Sequence, residues 1–195
     1  SYTLSRHGFA RDTEFELTES ANDYAVFTLT SSPASLGKYP FEFRLNVRYE
    51  LQGNTLRAMY MVQNEGSDEM YFSIGGHPAF KVPLIEGTRY DEYYLMFNKM
   101  EEAPRWLISD RGLIETNPEG FMNNTAKVPL MRKLFEQDAI VLKQLHSDCV
   151  SIRSLRHNHG LDFYFEGFPF FGIWAAKNAD FVCLEPWCGI ADSVK

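Results

Sequence analysis

Three short segments set a titratable side chain beside glycine or proline: Arg6-His7-Gly8-Phe9-Ala10-Arg11, Gly75-Gly76-His77-Pro78-Ala79-Phe80 and Leu184-Glu185-Pro186-Trp187-Cys188-Gly189. The two glycines before His77 remove side chains where a ligand could approach the backbone, and Pro78 biases His77 toward an extended conformation. A histidine held this way is either a fixed acid or base or simply part of a turn. Glu185 closes an apolar run in which alternation puts Phe181, Cys183 and Glu185 on one face and Val182 and Leu184 on the other. The carboxylate there is either desolvated and poised for proton transfer or exposed at a strand end. Trp187 favours the first reading, because an indole face beside a carboxylate can seat the apolar face of a pyranose ring. His7 before Gly8 is a second candidate ligand, and Arg11 carries several donors for hydroxyl groups.

Other chemistries find less support. His157-Asn158-His159 could place two imidazoles on one strand face and, with His146 or a cysteine, hold a metal, but no spacing matches a zinc pattern. A serine hydrolase would want its nucleophile on a G-x-S-x-G turn, which is absent, as are a phosphate-binding loop and a dinucleotide fingerprint. The expectation is a site without metal or cofactor.

The elements that must position these residues are strands. From Phe41 to Leu51, Phe43, Leu45, Val47, Tyr49 and Leu51 alternate with Glu42, Arg44, Asn46, Arg48 and Glu50, the period of a half-buried antiparallel strand. Gln52-Gly53-Asn54 supplies a turn, and Leu56, Ala58, Tyr60 and Val62 resume the alternation, so the two runs read as a long hairpin. Tyr24 to Thr30 reads as an earlier strand and Met70 to Ile74 as a later one. Val150 to Leu155 should pair with Leu161 to Phe165, and Phe171 to Ala176 with Phe181 to Leu184 across Lys177-Asn178-Ala179-Asp180, with Glu185 closing the last strand. Lys99 to Met131, interrupted by Pro104, Pro118 and Pro129, reads as mostly loop with minor strands. Many strands and few helices predict an all-β antiparallel sandwich.

Composition agrees. With 195 residues the chain has room for one domain and a substantial core, and its 16 Phe and 10 Tyr favour strands. Scattered Lys and Arg, 19 against 26 Asp and Glu for a net charge of -7, argue against a nucleic-acid partner. No apolar run is long enough to cross a bilayer, the first residues lack the apolar stretch of a signal peptide, and so no membrane partner is expected. Cys149, Cys183 and Cys188 form an odd set without CxxC spacing, which fits free thiols in a reducing cytoplasm. Oligomeric state has no signature in this sequence.

Taken together, the three segments resemble the signature set of the aldose 1-epimerase (galactose mutarotase-like) family, in particular its bacterial LacX-like branch. Tyr39-Pro40-Phe41, Leu134-Phe135-Glu136-Gln137-Asp138-Ala139 and Gly167-Phe168-Pro169-Phe170-Phe171-Gly172-Ile173-Trp174 extend the likeness over nearly the whole chain. The resemblance implies a large antiparallel β-sandwich with a sugar bound in a groove across one sheet. By position, His77 matches the family's general acid, Glu185 its general base, His7 a histidine beside the ring oxygen, Asp138 an acceptor for sugar hydroxyls and Arg11 a binding arginine. Family members carry strands before the first segment and after the last, so residues 1–195 are read as a single mutarotase-like domain cut from a longer chain, incomplete at both ends.

The implied partner is a small free sugar, an aldohexose such as galactose or glucose, whose α and β anomers interconvert by acid/base ring opening and closure. Two rival readings are a hexose-6-phosphate mutarotase, for which Arg6 and Arg11 could form a cationic clamp, and a carbohydrate-binding protein without catalysis.

Overall fold

The alternating run that begins at Phe43 becomes, in the computed structural model, the centre of an antiparallel meander; the structure describes residues 4–194. The chain divides into two compact units, Ser1–Tyr71 and Phe72–Lys195.

In the first unit, β1 (Glu16–Ser20), β2 (Tyr24–Thr30), β3 (Phe43–Gln52) and β4 (Thr55–Asn64) pair in chain order. The expected strand at Tyr24 to Thr30 and the expected hairpin are both present, with Gln52 opposite Thr55. Gly53, at φ 60, takes the first position of that two-residue turn, where a positive φ suits glycine. Phe43, Leu45 and Val47 are buried as the alternation requires, whereas Tyr49, Leu51 and Leu56 farther along the hairpin stay exposed. Phe9 packs on Tyr39 and Phe43, each at 5.7 Å between ring centroids, which anchors the segment carrying His7 and Arg11.

The second unit contains β5 (Ile74–Gly75), β6 (Ala79–Lys81), β7 (Tyr93–Arg105), β8 (Glu119–Pro129), β9 (Ile140–Lys143), β10 (Cys149–Ser154), β11 (Leu161–Tyr164), β12 (Phe170–Trp174) and β13 (Phe181–Cys188). One sheet runs β11-β10-β7-β8 and the other β5-β13-β12-β9, with β6 also paired to β13. Leu95, Phe97, Val150 and Ile152 of the first meet Ile140, Leu142, Phe171, Ile173, Val182 and Leu184 of the second in one core. This is a two-layer antiparallel sandwich, as expected.

Three sequence expectations need correction. Met70 to Ile74 is not a strand beyond its last residue; only Ile74 and Gly75 pair, while Tyr71 and Phe72 are exposed. Lys99 to Met131 is not mostly loop, because β7 and β8 are long strands paired with each other. Their register shifts between Met96 and Arg105, and such bulges break the two-residue period that would have marked the strands. Pro129 ends edge strand β8, and Pro104 lies beyond the stretch of β7 that pairs with β10, so neither proline takes a donor from a doubly paired position. Finally, Glu185 does not close its strand, which continues to Cys188.

The loop between β6 and β7 is fixed from within the core. Leu84 and Ile85 donate their backbone N–H groups to the Tyr93 hydroxyl at 3.0 and 3.2 Å, and His157 Nε2 lies 2.8 Å from the same oxygen. His157 therefore has a structural partner in Tyr93, while His146 sits elsewhere, with Nδ1 3.3 Å from Glu101.

Candidate active site

Strand β13 builds the site because its two faces differ. Val182 and Leu184 enter the core, and Cys183, Glu185 and Trp187 face the other way. Residue 77 is brought opposite Glu185 by the pairing on either side: Gly75 faces Trp187 and Ala79 faces Cys183. Gly76 N–H donates to the Pro186 carbonyl at 3.0 Å, and Leu184 N–H donates to the Pro78 carbonyl at 3.2 Å, so the backbone around His77 is bonded on both sides. His77 Nε2 lies 3.5 Å from Glu185 Oε1. The carboxylate side chain is 5% exposed and the imidazole 41%, so the carboxylate is buried and the imidazole reaches solvent.

Aromatic rings frame the pair. Trp174 presents a ring to His77 in an edge contact, with centroids 5.9 Å apart. Trp187 lies over Gly172 and against Gly75, its neighbours on the flanking strands; a methyl group at either glycine would run into the indole. Glycine at both positions is thus what lets a large ring lie close against the sheet beside Glu185. Cys183, 1% exposed, completes the face, and burial together with the Glu185 charge pushes its thiol up to about 12.

His77, Glu185 and Trp187 are therefore brought together. Asp138 stands immediately before β9, two strands from β13 in the same sheet, at φ 73, with Oδ1 accepting from Ala139 N–H at 2.8 Å. A left-handed backbone is tolerated better by Asp than by most side chains. His7 and Arg11 belong to the first unit. His7 is exposed beside Gly8, whose φ of 68 turns the chain, and Arg11 is exposed with Nε 3.6 Å from Asp12.

Trp174 and Gly172 were not singled out from sequence. They follow from the β12–β13 register, which places Gly172 opposite Glu185 and Trp174 opposite Cys183. His77, Cys183 and Glu185 form a group of three possible donors whose ligand atoms lie within 4.8 Å of one another.

The aldose 1-epimerase family model matches residues 1–194. Protein LacX, chromosomal, of Lactococcus lactis subsp. lactis is 35% identical over 197 residues, covering 98% of this chain and 66% of the relative. The chain thus spans just under two thirds of the length of the curated relatives it matches. Among solved structures, a galactose mutarotase related enzyme from Lactobacillus acidophilus superposes with a TM-score of 0.91 at 30% identity, over 98% of this chain and 65% of that one. A galactose mutarotase-like protein from Lactobacillus casei ATCC 334 gives 0.90 at 29% identity, over 100% and 67%.

Proposed function

Because this chain belongs to the aldose 1-epimerase family, we propose that it interconverts the α and β anomers of a free aldohexose, with Glu185 as general base and His77 as general acid. The observation that carries the reading is the 3.5 Å approach of His77 Nε2 to Glu185 Oε1 across two paired segments. In a pyranose the anomeric hydroxyl and the ring oxygen are bonded to the same carbon. An acid and a base that serve them at once must therefore be near neighbours.

Glu185 takes the proton of the anomeric hydroxyl while protonated His77 gives one to the ring oxygen. The bond from C1 to the ring oxygen breaks as the C1 carbonyl forms, and neither oxygen carries full charge. Rotation about the C1–C2 bond presents the other carbonyl face, and the reverse transfers close the ring as the other anomer. Acid and base each contribute typically ~100- to 10,000-fold, which is sufficient for a reaction that water already performs slowly. Trp187, and by its place in the frame Trp174, offer ring faces to the apolar face of the sugar. Asp138, two strands from β13 in the same sheet, is proposed on the family resemblance as an acceptor for sugar hydroxyls.

No helix among the described residues is long and apolar enough to cross a membrane. The three free cysteines, two of them buried, support placing the protein in a reducing cytoplasm.

The test is polarimetry or NMR of freshly dissolved α-D-glucose or α-D-galactose. The purified protein should speed equilibration, and a chelator should leave the rate undiminished. Competition by the 6-phosphate alone would favour the phosphosugar reading, and binding without acceleration the non-catalytic one.

A further inference from the structure

Cys183 takes no part in the proton exchange, yet it lies two residues before Glu185 on the same face of β13. Its sulfur, a carboxylate oxygen of Glu185 and a ring nitrogen of His77 are all within 4.8 Å of one another. We propose that His77, Cys183 and Glu185 form a site for a thiophilic divalent cation, Zn²⁺ foremost, and that its occupation shuts down the sugar site.

The donor set of one imidazole, one thiolate and one carboxylate is of the kind zinc takes, and carboxylate and water alone would not select it over magnesium or calcium. Zinc bonds of ~2.0–2.3 Å imply tetrahedral donor separations of about 3.3–3.8 Å. The His77 and Glu185 atoms are already at such a separation, 3.5 Å, and the Cys183 sulfur lies within 4.8 Å of both. Two of the donors come from one paired strand and the third from a segment hydrogen-bonded along it, so the geometry is held by the sheet rather than by a floppy loop. His77, 41% exposed, leaves the donors an approach from solvent. Once bound, the metal holds the lone pairs that Glu185 and His77 use for proton exchange. That inhibitory clause rests on the proposed mutarotase reading, whereas the binding site does not.

Co²⁺ titrated into the purified metal-free protein reads the site directly through a thiolate-to-cobalt charge-transfer band. We expect saturation at one equivalent, displacement by Zn²⁺, persistence of the band in Cys188→Ser and its loss in Cys183→Ser. His77→Ala, which removes a solvent-accessible side chain, should weaken Zn²⁺ by more than the ~10- to 100-fold that loss of an outer-shell partner costs. A band that survives in Cys183→Ser, or disappears in Cys188→Ser, overturns the site. If Cys183→Ser does not fold, unchanged Zn²⁺ affinity in His77→Ala does the same. In the mutarotation assay Zn²⁺ should inhibit with the midpoint seen by cobalt competition. An unaffected rate with the band intact overturns the inhibitory clause, and no metal-free mutarotation at all overturns the proposed function while leaving the cobalt result to stand alone.

Discussion

Glu185 and His77 differ more in exposure than in distance, and that difference assigns them separate tests. The carboxylate is buried, so replacing it by the isosteric amide keeps the shape of the packing and removes the proton acceptor. Glu185→Gln should lower turnover roughly 100- to 10,000-fold with little change in KM, as measured by NMR of anomer exchange. His77→Asn should lose turnover similarly through loss of the acid. In the proposed mechanism the two exchange protons in one event, so the double variant should be far less impaired than the product of the single effects. Near-normal turnover in Glu185→Gln would remove Glu185 from the role of base, and weakened binding at unchanged turnover would make it a hydroxyl ligand.

At the scale of the element, β13 and its neighbours decide how rigidly the site is presented. Gly172 is buried directly opposite Glu185, and the Trp187 indole occupies the space that a β-carbon there would need. Gly172→Ala should therefore tilt the indole while leaving the strand pairing intact, at a packing cost of about 1–3 kcal/mol. We expect KM for the sugar to rise about tenfold, equivalent to ~1.4 kcal/mol, with turnover changed less. Sugar titration followed by tryptophan fluorescence would read the same shift. An unchanged KM would show that the Trp187 ring face is not a sugar platform. The same pairing explains why β13 tolerates Pro186 in its middle: the neighbouring segment uses the Pro186 carbonyl, which accepts from Gly76 N–H, and proline lacks only a donor.

Across the second unit as a whole, Phe171 ties the two sheets together. It is fully buried and packs against Phe165 at 4.4 Å, Phe163 at 6.2 Å and Phe97 at 6.4 Å between ring centroids. Phe171→Ala should destabilise the protein by about 3–5 kcal/mol in denaturant unfolding, because the surrounding rings cannot collapse fully into the space left. Tyr164, 74% exposed on β11, is the control, and its replacement by Ala should stay within about 0.5 kcal/mol. Equal effects from the two would mean that the sandwich is not held by this aromatic core.

Local pattern alone was enough for the elements whose alternation is unbroken. The β3–β4 hairpin, β2 and the β10–β11 and β12–β13 pairs all follow from period-two runs and turn residues, because each side chain's face depends only on its place along its own strand. The face that Glu185 takes was legible for the same reason, and Gly75, Gly76 and Pro78 marked the His77 segment because they constrain their own backbone. What sequence could not convey was anything that depends on register between segments. The bulges of β7 and β8 hid two long strands, the extension of β13 past Glu185 required β5 as a partner, and the Cys183, Gly172 and Trp174 neighbourhood exists only once β12 and β6 lie against β13. A shift of one residue in any of these pairings would turn those side chains to the opposite face. Residue identity thus determined which groups could do the chemistry, and tertiary pairing decided which of them meet, because cross-strand distance is a property of two strands and never of one.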